Sequence, residues 1–271
     1  MVQLIIAIII IALGFYVFKS YPIDKKNVMN MVLSAIFIMI TLVCKRFLTV
    51  MIPLFGSESL KIGLEYIPLM IAGYFLSPSY AFLIGLCCDL IGLLLVPTGF
   101  PFFGFTLTMI LVCVIPSLIK THVKDISERT ISSLVQLLII VLGMIGAIYI
   151  YYLDEIKISD TMYTLNFSEK FILIFICILL VCIFLFLIRI LKKKINPQES
   201  KEFSIWLLSV VVVEMICTIC LSPLWLEIMY GIPFIVSLCI RIIKECFVLP
   251  LEVFVGYTVI KVMKRILVNR T

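Results

Sequence analysis

Histidine occurs once in these 271 residues, at His122, and charged side chains make up only 14% of the chain. A single histidine leaves little for a histidine-based metal centre or a nucleophile–histidine pair. There is no HExxH, no phosphate-cradling glycine loop and no GxSxG, so the familiar hydrolase and nucleotide motifs are missing as well. Charge is too sparse for a soluble domain, which is ordinarily about a quarter charged and close to half apolar. What fills the space is hydrophobic: 63% of the residues. A chain of this length cannot bury so much apolar side chain in a water-soluble core. It is therefore read as a polytopic membrane protein. The net charge of +6 does not point to nucleic acid, because the basic residues fall in short clusters between apolar runs. Ten cysteines lie mostly within those runs and read as small buried hydrophobes, not as a disulfide framework.

The hydropathy pattern predicts nine spans, at residues 2–18, 28–44, 64–76, 80–96, 105–119, 131–151, 171–190, 203–221 and 235–260. The first carries no charge and no cationic leader, which argues against a cleaved signal peptide. Lys19, Lys25 and Lys26 follow it and place that end in the cytoplasm, with the N-terminus outside. The same rule puts Lys120, Lys124 and Arg129 inside, Lys192–Lys194 inside, and Lys261, Lys264 and Arg265 inside at the C-terminus. The acidic stretch at 154–160 falls outside. Residues 51–59 read as a loop, and SPLWLEIMYGIP as the connection between the last two spans. One basic pair breaks the pattern: Lys45 and Arg46 land on the outer side, which invites a functional reading.

The densest candidate for chemistry is residues 85–108, GLCCDLIGLLLVPTGFPFFGFTLT. Asp89 is the only acid there and lies near the middle of a span. A carboxylate at that depth costs several kcal/mol unless it faces protein, water or ligand. The uncharged loop beyond it carries Phe100, Phe102 and Phe103 between prolines and glycines and reads as an aromatic lid. The reading of Asp89 stays open between a ligand contact and an interhelical ion pair with Arg241.

These residues resemble the folate-type S component of the energy-coupling factor (ECF) vitamin transporters. The likeness begins at LSAIFIMITLVCKRFLTV, where Arg46 and Phe47 match an arginine–phenylalanine pair closing the first core helix. It continues through LKIGLEYIPLMIAGYFLSP and the Asp89 stretch, and resumes at Arg241, Lys244, Pro250 and Glu252 near the end. The resemblance implies an all-α integral membrane protein with a six-helix core, here with about three additional helices. Residues 1–19 form an extra N-terminal helix, 28–120 the first four core helices, 131–190 an inserted pair, and 203–265 the last two. The implied function is capture of folate at an outer pocket in the cell membrane. No cofactor belongs to this chain; ATP is used by two ATPase subunits, joined through a transmembrane coupling subunit. The implied ligand residues are Arg46, Lys61, Asp89, Phe100, Phe102, Phe103, Arg241 and Lys244. The implied docking residues on the first core helix are Ala35 and Met39, the latter where the family has a second small residue. A flat pterin would offer a carboxylate two donors, and a glutamate tail would seek cations such as Arg46 and Lys61. The alternatives are an S component for another heterocyclic vitamin, or a membrane-embedded lipid or glycan enzyme, which a cluster of acids would favour.

Overall fold

The computed structural model describes residues 2–23, 27–54, 57–95, 101–152, 155–158, 161–164, 166–194, 196–232 and 234–268. In it the nine apolar segments become helical rods. They are α1 (Val2–Ser20), α2 (Val28–Phe47), α3 (Tyr66–Phe75), α4 (Pro78–Leu95), α5 (Phe103–Val123), α6 (Glu128–Tyr152) and α7 (Phe167–Lys194), then a long broken rod and α10 (Phe234–Val268). The broken rod is α8 (Pro197–Val213), a π-helical segment (Glu214–Leu221) and α9 (Ser222–Tyr230) in direct succession. Seven of these rods are long and apolar enough to cross a bilayer, among the described residues. Inside a bilayer core, where no water is at hand, backbone must satisfy its own hydrogen bonds, and helices do so.

Three expectations change. Of residues 51–59, expected as a loop, those described (51–54 and 57–59) belong to an antiparallel hairpin, β1 (Thr49–Leu54) with β2 (Ser57–Gly63), in which Met51 pairs with Lys61. The acidic stretch contains a second hairpin, β3 (Glu155–Ile158) with β4 (Thr161–Thr164). The segment expected to connect the last spans is largely helical: α9 begins at Ser222 with Pro223 next to it, directly after the π-helical segment, and Ser222 Oγ takes up the Cys217 carbonyl. The turn comes later, at Gly231, whose φ of +67° closes α9 in the left-handed conformation that glycine adopts freely.

The centre is α3, α4 and α5. With only ten residues α3 is short, and the residues from Ile67 to Tyr74 are all buried. Its C-terminal carbonyls are taken up by side chains of α5: Lys120 Nζ donates to Tyr74 O at 2.5 Å and Ser117 Oγ to Leu76 O at 2.7 Å. A cation at that end also suits the helix dipole. Glycines set the spacing. A Cβ on Gly73 would lie 1.9 Å from the Cys113 carbonyl oxygen, and one on Gly85 would lie 2.6 Å from Ile110 Cα. The backbones of α3 and α4 therefore approach α5 as closely as small residues allow. Gly73→Ala should force α3 and α5 apart and lower stability by about 1–3 kcal/mol, read as an earlier melting transition of the empty protein in detergent.

The long rod α8–α9 and α10 complete this centre, both touching α3, while α5 lies against α8. The hairpin α6–α7 packs on itself and on α8 and α10 from outside. Gly143 of α6 faces Val181 of α7 at close range, and most large side chains of α7 point outward. At the start of α6 Glu128 accepts from Ser200 Oγ at 2.5 Å and pairs with Lys192 at 3.8 Å. The first helix, α1, lies against α4 and α5.

Candidate functional site

Two groups of buried charge, among the described residues, bear on a site. The first is at Asp89, 3% exposed on α4. Its carboxylate accepts from Thr106 Oγ1 on α5 at 2.6 Å and faces Lys45 Nζ of α2 at 3.9 Å. Gly92, one turn along α4, leaves room for the lysine: a Cβ there would sit 3.3 Å from Nζ. The exception to the charge pattern thus divides. Lys45 turns inward to Asp89, and Arg46 is exposed at the end of α2. The partners of Asp89 are Thr106 and Lys45, and the ion pair with Arg241 is not made.

The second place lies where α3, the π-helical segment and α10 meet. Arg241, Lys244 and Glu245 fall within the first twelve residues of α10, and Glu252 follows two turns later. Arg241 is partly buried and donates from Nε to Ser237 Oγ at a long 3.4 Å. Lys244 Nζ lies 3.4 Å from Glu245 Oε1. Glu245, Glu252 and, from the π-helical segment, Glu214 are 5%, 1% and 1% exposed. The Glu214 carboxyl lies against both of the others, and Tyr66 of α3 stands beside Glu214 and Arg241. An ionised carboxylate only accepts, whereas a carboxyl that holds its proton also donates one O–H, so acids this close satisfy one another by sharing a proton. The side chain of Glu214 stands within hydrogen-bonding reach of both Glu245 and Glu252.

The expected lid divides too. Phe102 is buried in edge contacts with Phe105 and Trp225, each 5.7 Å between ring centres, and shares a small core with Ile6 of α1. Phe103 is 42% exposed. Phe100 lies outside the described residues; Lys61 lies on β2, with its side chain outside them. Ala35 and Met39 both sit on the exposed face of α2. No group of three or more metal-ligating side chains is arranged to hold an ion, among the described residues.

The family model for the ECF-type riboflavin transporter, S component, matches residues 25–188, more than half of the chain. The chain belongs to that family. The match runs from just before α2 into α7, and in an S component of this kind the charged groups at Lys45 and Asp89 fall inside the matched part. A curated relative, the folate transporter FolT of Clostridium novyi (strain NT), is 32% identical over 83 residues, which are 31% of this chain and 45% of the relative. The alignment thus spans less than half of that relative's length. A solved structure of FolT bound with folic acid is similar over 84% of this S component and 90% of its own chain, with 19% identity and a TM-score of 0.47.

Sequence reasoning missed Glu214 and Glu245 as site residues, and Lys45 as the partner of Asp89. A signal existed. Glu214 interrupts an apolar run as Asp89 does, and Arg241, Glu245 and Glu252 recur at spacings of four and seven, one face of a helix.

Proposed function

We propose that this S component is the substrate-binding subunit of an ECF-type importer and takes a folate-like vitamin from the outer side. A transmembrane coupling subunit and two ATPase subunits supply the drive. The observation that carries the reading is the buried cluster on α10 and the π-helical segment, three carboxyls beside two cations, in a chain of a vitamin-transport family. Acids this deep in a membrane protein mark a ligand path more often than a stabilising device. The chemistry separates the two vitamins that the comparisons name. A pterin turns a 2-amino group and a ring N–H toward its partner, two donors that suit one carboxylate. A flavin turns a ring N–H flanked by two carbonyls, which would press acceptors against acceptors. The cluster therefore favours folate over riboflavin. The exposed α2 face with Ala35 and Met39 is the proposed docking surface for the coupling subunit.

Calorimetry of the purified chain in detergent tests this. Folic acid should bind without nucleotide, and riboflavin should bind far more weakly; tight riboflavin binding with none of folate would overturn the choice of vitamin. Arg46, exposed at the outer end of α2, is the proposed cation for the glutamate tail. Arg46→Ala should weaken folic acid by about 1–2 kcal/mol, a charge-assisted bond's worth, and leave a tail-less pterin unchanged. Equal losses for both ligands would remove Arg46 from the tail.

The orientation proposed has the N-terminus outside and the C-terminus in the cytoplasm, from the alternation of basic and acidic connections. A cysteine at Ser159, which lies outside the described residues, should react with an impermeant thiol reagent in intact cells, in a background cleared of reactive cysteines. One at Lys193 should react only after lysis; the reverse pattern inverts the topology.

A further inference from the structure

We infer that α1 latches α9 against the start of α5, with Trp225 as the catch and Ile6 as the residue that keeps it shut, and that release of this catch sets how fast ligand enters and leaves. The rate part rests on the folate-like reading above; the latch itself does not.

Helix α9 is held lightly. It begins where the π-helical segment gives way at Ser222 and Pro223, and Pro223 has no N–H to carry the helical ladder across that joint. It ends at Gly231, whose left-handed conformation breaks the helix before α10 begins at Phe234. Between these joints, past Pro223, the one buried side chain is Trp225, whereas Leu224, Ile228 and Tyr230 are exposed. A short rod with a joint at each end and a single buried anchor can swing as a unit once that anchor is released.

The anchor is gripped from three sides. Trp225 Nε1 donates to Thr108 Oγ1 at 3.0 Å, and that hydroxyl donates in turn to Gly104 O at 3.0 Å, in the first turn of α5. Phe102, directly before α5, lies edge-on to the indole, and Gly104 lets the two rings meet, since a Cβ there would overlap both. The third side is Ile6 of α1, 2% exposed. With Leu107 these residues form a packed cluster apart from the main core, joined to it through half-buried side chains such as Ile10, Leu13 and Leu111. A satellite cluster of this kind can open without disturbing the core beside it.

Elsewhere α1 is firmly fixed. Val17 is fully buried in the main core, Phe18 meets Phe82 of α4 edge-on, and Ser79 Oγ of α4 donates to Tyr21 O. The helix is thus tied to α4 at one end and reaches the catch with its other. It lies ahead of residues 25–188, so the family match does not account for it.

What the catch controls follows from what α9 touches. It continues the segment that carries Glu214 and packs on α10, whose early turns carry Arg241 and Lys244. Displacement of α9 from α5 therefore uncovers the charged cluster. The contacts of Trp225 involve no ligand and hold α9 in the empty and the loaded protein alike, so they slow exchange without favouring either form. Ile6 and Trp225 are positioning residues, not ligand contacts.

Radiolabelled folic acid on the full chain in detergent, chased with unlabelled ligand, gives the dissociation rate, and rapid mixing gives the association rate. Ile6→Ala should raise both by about tenfold, one barrier lowered for both directions, and leave their ratio unchanged. Val17→Ala, about three turns along the same helix but in the main core, should lower the melting temperature and leave both rates as they are. Unchanged rates in Ile6→Ala, equal acceleration in Val17→Ala, or a loss of affinity carried by dissociation alone overturns the rate part. If Ile6→Ala gives no monomeric peak, Trp225→Phe takes its place, since it keeps a ring, loses the bond to Thr108 and carries the same expectation. A ligand-free arm separates the latch from the vitamin reading. The chain has two tryptophans, so in a Trp206→Phe background the fluorescence comes from Trp225. Adding Ile6→Ala should open that indole to acrylamide quenching, and adding Val17→Ala should not. Failure of folic acid to bind with this contrast intact removes the vitamin reading and the rate part, and leaves the latch. Absence of the contrast removes the latch, whatever binds.

Discussion

Arg241→Met should lower the stability of the empty protein by about 3–5 kcal/mol, the range seen when one partner of a buried charge group is removed. Methionine keeps the length and the apolar stem, so little packing is lost. What goes is the guanidinium beside Glu214 and Glu245, leaving Lys244 as the one cation of that cluster on α10. Three carboxylates then share an interior where repulsion is weakly screened. Melting in detergent measures the loss, and a second substitution identifies its cause. Glu245→Gln, one turn along the same helix, should restore at least half of what Arg241→Met removes. A fall below about 1 kcal/mol would mean that Arg241 is solvated and the charges are independent, as surface pairs are. An equal loss in the double variant would mean that the guanidinium acts by packing.

How much of this was legible in the sequence depends on what fixed each feature. Spans and their order follow from local hydropathy, and nine apolar segments gave nine rods. The hairpin β1–β2 was less visible, because its strands are short and stand where a turn with Pro53 and Gly56 reads as loop. The helical character of residues 222–230 was hidden by Pro223, a stop signal inside a helix that here stands where the π-helical segment gives way to α9. Asp89 was found because it is a lone acid in an apolar run. Its partner was not, since the choice between Lys45 and Arg241 is made by tertiary geometry, by Gly92 leaving a path for one and by α10 carrying the other elsewhere. Glu214, Glu245 and Glu252 are far apart in sequence as a set, and the close approach of the π-helical segment to α10 joins them. The family match runs on through α6 into α7, yet in the folded chain α8 and α10, not that hairpin, stand against α3. Sequence continuity and spatial centrality are different properties. Contact with the short buried helix α3 is the one that bears on the site, because Tyr66 of α3 faces the acids.

Trp206→Ala should have an effect of similar size by a wholly apolar route. The indole is fully buried on α8, meets Tyr74 of α3 edge-on with ring centres 6.0 Å apart, and donates from Nε1 to Val253 O of α10 at 3.1 Å. It thus ties three rods together just below Glu252. Removal of so large a side chain costs the lost transfer energy and the cavity left behind, about 3–5 kcal/mol together. Trp206→Phe keeps most of the ring and loses the N–H, so its cost should be smaller. The decisive partner is Gly256, where a Cβ would fall 2.2 Å from the indole Cζ2. In the wild-type background Gly256→Ala must push the ring or α10 aside and should destabilise by about 1–3 kcal/mol. In the Trp206→Ala background the same methyl enters empty space and should be neutral or stabilising. Such a reversal of sign is the mark of two residues that share one volume. Additive losses would instead place the indole and the glycine in separate environments, and α8 would then be held against α10 by other contacts.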